Sequence, residues 1–460
     1  SDLKNQEMNI IIAGDGEVGF YLAEALVHSN HNITIVDPHE ELLKLVESHA
    51  DLMTIVGQSN SVAVLKKANV AKADLVISVL HSEEINILTA IIAKKLGAKY
   101  TIARVNTMQN LALENQKTYN ELGIDQLLSP EDIAGHEVVK LLQRPAAIEI
   151  FDLSDGQLQI LLIKINDDAN AVNQSLNDIA NQYENLDFRA VAIHRGNSTF
   201  IPSGDTIFQP NDFVYVITKP EGMEELMKLG GKQDVEINNI MLIGGGRVGK
   251  VIAKQLETEL NIKLIEQSHE RSLNLIDLLN DTLIINGDAR DIKLLEEEGI
   301  EGVDAFIAVT NNSETNIITC LHAKKFGVKK TIALVENLDY IEISKNIGID
   351  TIINKKLSAA SYMIKHSMGD EVSSLKCLSG ISSDVVEFIA KRDSAVTKKL
   401  IRNLKMPEGS IIGGVIRGNK SYIAIGDFQI EEDDKVVVFA LPGLTHKLEK
   451  IFHKQNGGLL

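Results

Sequence analysis

The chain has 460 residues, room for about three or four domains with cores of their own, and its 44% hydrophobic content belongs to a folded rather than a disordered protein. A formal net charge of −18, no Trp and only 4% aromatics argue against phosphate backbones, anionic lipid surfaces and base-stacking platforms, so no nucleic-acid partner is expected. No apolar run approaches the roughly 20 residues of a membrane span and no secretory segment opens the chain, so no direct membrane insertion is expected.

Ser1–Glu7 precede Met8 and read as an appended segment. The first apolar run, Asn9–Ala13, leads into Gly14-Asp15-Gly16-Glu17-Val18-Gly19 and then a helix-like stretch. A second run, Ile33–Val36, ends in Asp37. This is the strand, glycine-rich turn, helix, strand, carboxylate order of a nucleotide-binding βαβ unit. Gly14 makes the tight bend, Gly16 admits a pyrophosphate where a Cβ would stand, and Gly19 lets the helix approach the strand. Free N–H groups at the helix start then face the anion. Asp37 would accept hydrogen bonds from ribose hydroxyls and repel a 2′-phosphate, favouring NAD-type or adenosine ligands over NADP.

Further strands follow at Thr54–Val56, before Gly57-Gln58-Ser59, at Ala73–Val79 and at Tyr100–Val105, with a short sixth after Gly123-Ile124-Asp125. Between the fourth and fifth, residues from about 83 to 96 read as an amphipathic helix whose stripe Ile85, Leu88, Ile92 and Leu96 is expected to face the core, or to form an interface if part-exposed. Strands alternating with helices at this spacing imply a parallel sheet covered on both faces. The texture then changes. A helix over 130–143 stops at Pro145, and strands are expected over 147–153, 159–165, 188–193 and 213–218, with a hairpin at Arg195-Gly196-Asn197. Gly230–Asp234 reads as a linker.

The pattern then repeats. Asn239–Ile243 leads into Gly244-Gly245-Gly246-Arg247-Val248-Gly249, Ile262–Ile265 ends in Glu266, and Leu283–Asn286 precedes Gly287-Asp288. Val303–Val309, a helix over about 314–326, Lys330–Val335 and Gly348-Ile349-Asp350 continue the match. The hairpin recurs as Arg417-Gly418-Asn419, and Gly204-Asp205 recurs as Gly426-Asp427. One GxGxxG is weak; two in matching context are strong. The fold class expected is α/β, with Rossmann-like parallel-sheet domains alternating with small α+β lobes, internally duplicated. The boundaries are 8–130 and 239–356 for the large domains, 131–145 and 357–372 for crossover helices acting as hinges, 146–229 and 373–453 for the small lobes, and 230–238 for the linker.

From Met8 to about Phe452 this arrangement resembles the tandem RCK family, the regulators of potassium conductance built from KTN (TrkA-N) and TrkA-C lobes. The resemblance implies a cytoplasmic ring, peripheral at the inner face of the cell membrane. It would bind NAD(H), and also ATP or ADP, and gate an integral-membrane potassium channel or transporter subunit of the Trk type. Potassium enters through the family alone. Because each chain supplies two large and two small lobes, a homotetramer is implied for an eight-unit ring. The family's first site maps onto Gly14, Gly16, Glu17, Val18 and Gly19 around the phosphates, Asp37 on ribose, Gly57 and Gln58 beside adenine, Val79 as a wall and Arg104 near phosphate. Its second maps onto Gly244, Gly246, Arg247, Val248, Gly249, Glu266, Gly287, Asp288 and Val309. The copies differ in charge, with Glu17 and Arg104 in one and Arg247 and Leu334 in the other, so different nucleotides or phosphorylation states are expected at the two sites.

Each assignment has a plainer rival. The glycines could serve packing alone, Arg104 could be a solvated strand-end charge, and Arg247 could pair with a carboxylate such as Glu266. His28, His31, His39 and His49 lack ligand spacing, and Asp152, Asp155, Asp167 and Asp168 read as a solvated turn rather than a divalent-ion site. Cys320 and Cys377 have no metal or disulfide spacing, as in a reducing compartment. No Ser-His-Asp or CxxC grouping supplies catalysis, so no enzyme is expected; a NAD-dependent oxidoreductase, or an NAD(H) redox sensor acting on another protein, is the alternative on this fold.

Overall fold

The structure, a computed structural model, describes residues 8–14, 16–27, 31–47, 52–106, 111–145, 147–183, 187–196, 198–230, 236–367, 384–441 and 444–452. Near-continuous apolar runs in the first large domain form a six-stranded sheet from β1 (Asn9–Ala13), β2 (Asn32–Asp37), β3 (Met53–Val56), β4 (Leu75–Ser78), β5 (Tyr100–Arg104) and β6 (Gln126–Leu128). All pairings are parallel, in the order β3-β2-β1-β4-β5-β6. Ile10, Ile11 and Ile12 of β1 and Leu75, Val76 and Ile77 of β4 are all buried, as strands covered on both faces must be. The order reverses between β1 and β4, which opens a crevice at their carboxyl ends.

The helix Glu83–Lys95 corrects the expected core stripe. Its buried face is Asn86, Thr89, Ala90 and Ala93, whereas Leu88 is 45% exposed and Ile85, Ile92 and Leu96 are half-buried. Small side chains let this helix lie close on β4 and β5, which displaces the larger apolar groups to its flanks. The Gly-Ile-Asp signal before the sixth strand also gains a reason. Asp125 accepts from the Thr101 backbone N–H at 2.7 Å and from Lys94 Nζ at 2.8 Å, stapling the start of β5 to the helix behind it.

The first small lobe is an antiparallel sheet of β7 (Glu149–Leu153), β8 (Leu158–Lys164), β9 (Phe188–Arg195), β10 (Ser198–Phe200) and β11 (Phe213–Thr218), ordered β10-β9-β11-β8-β7. The second half repeats the scheme. Its parallel sheet runs β14-β13-β12-β15-β16-β17, from β12 (Asn239–Ile243), β13 (Asn261–Glu266), β14 (Leu283–Asn286), β15 (Ala305–Ala308), β16 (Lys330–Leu334) and β17 (Thr351–Ile353). The last sheet runs β18-β21-β19-β20, from β18 (Asp384–Ile389), β19 (Ser410–Arg417), β20 (Lys420–Tyr422) and β21 (Lys435–Ala440). Even the register repeats: Phe213 faces His194 and Ile217 faces Arg189, as Lys435 faces Ile416 and Phe439 faces Ile411, with a bulge between them in both ladders. Asp350 likewise accepts from Thr331 N at 2.8 Å.

The chain divides into two compact units, residues 1–135 with 354–367, and 136–353 with 368–460. In the first, the helix Lys355–Ser367 packs on Glu17–Val27, and Gln126 Nε2 donates to Tyr362 OH at 3.1 Å. In the second, the first small lobe is anchored on the second parallel sheet. Buried Lys330 Nζ donates to Ala147 O at 2.7 Å, and Thr351 Oγ1 to Ile148 O at 3.3 Å. The two small sheets share a core that includes Phe151, Leu158, Tyr215, Val385, Val437 and Phe439. The rings of Tyr215 and Phe439 lie 5.8 Å apart. The 231–235 segment of the expected linker lies outside the described residues.

The recurrent hairpins carry a matched clasp. Arg195 Nε and Nη2 donate to the two oxygens of Asp212, both at 2.7 Å, and Arg417 grips Asp434 at 2.8 and 2.7 Å. Asp212 and Asp434 are each 1% exposed and also accept a backbone N–H, from Gln209 and Glu431. Removing a carboxylate so buried leaves a backbone amide without its acceptor and the guanidinium with only its outer contacts, Ile207 O for Arg195 and Gln429 O with Glu431 for Arg417. We expect Asp434→Ala to cost about 3 kcal/mol in denaturant unfolding, whereas Asp427→Ala, which breaks an exposed pair with Arg402, should cost less than about 1 kcal/mol.

Candidate functional site

At the first crevice the glycines divide their labour. A Cβ on Gly14 would stand 3.1 Å from Gly19 Cα and 3.2 Å from Val79 Cγ2, so the turn, the helix start and the buried Val79 close on one another there. Around Gly16 a Cβ would meet nothing within 4 Å. The position that needs no glycine for packing is therefore the one where backbone is open to a ligand. The helix Glu17–Val27 begins at once, with Phe20 N donating to Gly16 O at 3.1 Å and Val18 buried beneath it. The side chain of Glu17 and all of Asp15 lie outside the described parts.

Asp37 ends β2 at 1% exposure, and its Oδ1 accepts from His39 N at 2.7 Å and contacts His39 Nδ1 at 3.0 Å. Gly57 N donates to Asp37 O at 3.0 Å, which brings the end of β3 beside the acid. A Cβ on Gly57 would reach 2.6 Å from Val64, so this glycine admits the helix Val62–Lys67. Gln58 sits in the turn that leads there, its carbonyl accepting from Ser61 N at 3.1 Å. Arg104, at the end of β5, is mostly buried and lies 3.7 Å from Glu131, which Lys355 also approaches at 3.6 Å. Its Nε is buried with no hydrogen-bond partner among the described residues, so the solvated reading of Arg104 does not describe it.

The second crevice repeats this geometry with other charges. Gly244 adopts a φ of 100°, a left-handed conformation that favours glycine, and a Cβ there would stand 3.0 Å from Thr310 N. A Cβ on Gly249 would collide with the Gly244 carbonyl, whereas one on Gly246 would meet nothing within 4 Å. Between them, a Cβ on Gly245 would strike Leu275 and come 3.1 Å from Glu266 Oε2, which accounts for the third consecutive glycine. Glu266, 5% exposed, reaches back to accept from Gly245 N at 2.7 Å while its other oxygen accepts from Ser268 N at 2.7 Å. Arg271 Nη1 lies 3.3 Å from both oxygens, so the guanidinium paired with Glu266 belongs to Arg271. Arg247 opens the helix Arg247–Leu256, in which Val248 is buried.

Gly287 N donates to Glu266 O at 3.0 Å, and a Cβ on Gly287 would come 2.5 Å from Leu294, matching Gly57 and Val64. Asp288 is held by Arg290, whose Nη2 lies 2.6 Å from Oδ2, and this partner keeps its carboxyl below the ordinary range. Val309 is buried under the turn, with its N–H on Ile243 O at 2.9 Å, as Val79 N lies on Ala13 O at 2.7 Å. Leu334 is buried where the first copy has Arg104.

Two site-building residues escaped the motif reading. Fully buried Asn86 accepts from Ser78 Oγ and Leu80 N and donates to Leu80 O and Arg104 O, all within 3.0 Å. Asn316 does the same with Thr310 and Leu334 O. Each amide ties the strand end beside the crevice to the next. Their recurrence at matched positions was the available signal. Arg271 offered none, because the exposed Leu42 stands at its place in the first copy.

Elsewhere, Asp152 is engaged by Lys140 and Gln159. Among the described residues no three or more His, Cys, Asp or Glu could hold a metal ion, and no helix is long and apolar enough to cross a membrane. Burial pushes the Cys320 thiol far above its usual range. His28, His49 and Cys377 lie outside the described residues, as does the side chain of Asp155.

Comparison with known proteins agrees with this geometry. The TrkA-N domain model matches residues 10–130 and 240–355, and the TrkA-C domain model matches 160–230 and 385–453. Trk system potassium uptake protein TrkA homolog 1 of Methanosarcina mazei is 32% identical over 456 residues, covering 97% of this chain and 100% of that protein. The TrkA protein of Haemophilus influenzae is 32% identical over 437 residues, 94% of this chain and 95% of its own length. Among solved structures, the GsuK RCK domain aligns with a TM-score of 0.57 at 16% identity, over 97% of this chain and 95% of that one. The GsuK channel aligns at 0.61 and 17%, over 96% and 78%. Two Rossmann-like sheets, two small antiparallel sheets and these matches place the chain in the family of the Trk system potassium uptake protein TrkA, built from tandem TrkA-N and TrkA-C domains.

Proposed function

We propose that the chain is a cytoplasmic, nucleotide-binding regulatory subunit that gates an integral-membrane potassium channel or transporter of the Trk type, and that it binds nucleotide without chemically altering it. The observation that carries this is the paired crevice. Each copy has an open glycine at a helix start and a buried carboxylate on the neighbouring strand end, where a pyrophosphate and a ribose fit. The names of the relatives support the potassium partner, and structures of GsuK bound to NAD and to ADP support both ligand classes.

The domain boundaries given above are retained in this reading, with the helices Pro130–Gln143 and Lys355–Ser367 as crossover hinges. Four chains form a ring of eight large-domain and small-lobe pairs, held at the inner face of the membrane by the partner. Nucleotide acts by binding one ring shape better than another, since only differential affinity moves a gate. The unlike charges assign the crevices different ligands. Glu17 in the turn disfavours additional phosphate charge in the first, while Arg247 attracts it in the second, so NAD(H) is assigned to the first crevice and the more highly charged ATP to the second.

Titrating NADH, ATP and ADP into Asp37→Ala and Glu266→Ala should weaken a different ligand in each variant by about 10- to 100-fold. Identical residual profiles would reject the assignment. Arg247→Glu should shift the second site's preference away from ATP. Incubated with NADH and candidate acceptors, the chain should bind a stoichiometric amount with no product accumulating; steady turnover would favour an oxidoreductase. Co-purified with a membrane partner, it should make potassium flux depend on added nucleotide, and flux indifferent to NADH, ATP and ADP would end the regulatory reading.

A further inference from the structure

A hollow of about 240 Å³ lies within the first small lobe, and none of its lining residues belongs to either crevice. Its wall is mostly apolar, with Ile163, Ile179, Phe208 and Val216 among the lining groups beside the polar Asn177 and Ser203. The second small lobe closes one side with Ile411, Ile425 and Gly426, and the exposure of Ile425 puts the mouth at the seam between the lobes.

One cation lines this hollow. Arg189 Nη1 donates to Ile412 O and Ala424 O, each at 2.7 Å, and among the described residues its guanidinium has no ion-pair partner. Two carbonyl contacts at one nitrogen leave Nε and Nη2 of this half-buried side chain without an acceptor among the described residues, open to a ligand beside an apolar wall. Burial lowers the pKa of this group, in keeping with missing compensation. The lobe fold does not itself demand a cation there: Arg189 faces Ile217 in one ladder, and in the matched ladder Ile411 faces Phe439. An apolar hollow with one under-compensated guanidinium at its rim has the complement of an amphipathic anion.

We propose that this hollow is a second ligand site, taking a medium-chain aliphatic carboxylate whose tail fills the apolar wall and whose head group pairs with Arg189. At roughly 30 Å³ per water-sized group, the space takes on the order of eight such groups, about an octanoate chain. The carboxylate supplies the two acceptors that the fork of Arg189 lacks. A bound molecule would touch both small lobes at once and so stiffen their seam. The proposal does not depend on the nucleotide reading.

Calorimetry on the full chain with octanoate, octanol and acetate tests it. Octanoate should bind saturably at one site per chain, at least tenfold tighter than octanol, and acetate should show no binding. Arg189→Gln should bring octanoate down to the octanol level while NADH binding persists. Because Arg189 also holds the second lobe, Ala171→Leu and Ala180→Leu provide tests that keep the charge and fill the hollow; each should cut octanoate binding at least tenfold in a chain that melts cooperatively. The proposal is overturned if octanoate does not bind, if octanol binds as well, or if the filled variants bind octanoate like the parent.

Discussion

The structure depends first on a contact in which two glycines meet. Gly14 and Gly19 in one copy, and Gly244 and Gly249 in the other, let a helix start press against the end of a strand, tightly in the first copy and at a distance no side chain permits in the second. That closeness aims the first helical N–H groups into the crevice instead of past it. The acid on the next strand is set by the same packing, because Gly14 N reaches Val36 O and Gly244 N reaches Ile265 O, one residue before Asp37 and Glu266. A methyl group at Gly249 would move the helix, the amides and the acid together. This explains why the pattern survives in both halves although much of the sequence around it differs.

Upon that shared scaffold the copies diverge through charge. The second copy closes Glu266 with Arg271 and Asp288 with Arg290, so the carboxylates of that crevice are neutralised by pairs supplied locally. The first has Leu42 where Arg271 stands, and its positive charge lies instead at Arg104 and Lys355, across the crevice near Glu131. The proposed assignment of separate ligands rests on this redistributed charge, since backbone amides recognise any phosphate and only side chains can separate one nucleotide from another.

Much of this was legible in the sequence because backbone demands leave strong marks. Glycines at fixed spacing, strand-end acids and the recurring Arg-Gly-Asn hairpin are all enforced by geometry, and the parallel sheets follow from apolar runs bounded by turns. The stripe on the helix Glu83–Lys95 is only partly core, with Ile92 and Leu96 packed against it and Leu88 exposed, because close packing there selects Ala90, Ala93 and a hydrogen-bonded Asn86. The pairing of Arg271 with Glu266 and the placement of Arg189 depend on rotamers and on which segments meet in space, and neither has a sequence period. The division into two compact units was also hidden. It groups 354–367 with residues 1–135 and gathers 136–353 and 368–460 into the other unit, which no local composition reveals.

That division bears on how a nucleotide signal would travel. Within the second unit the crevice stands at the carboxyl ends of β12 and β15, and Lys330, at the start of the adjacent strand β16, holds Ala147 of the first small lobe. The second parallel sheet and the first small lobe are therefore joined by direct hydrogen bonds from Lys330 and Thr351, a buried lysine among them. The first small lobe in turn shares its core with the second through Tyr215 and Phe439. One sheet and two lobes are thus joined within a single compact unit by buried hydrogen bonds and a shared apolar core, so what shifts one of them strains its contacts with the others.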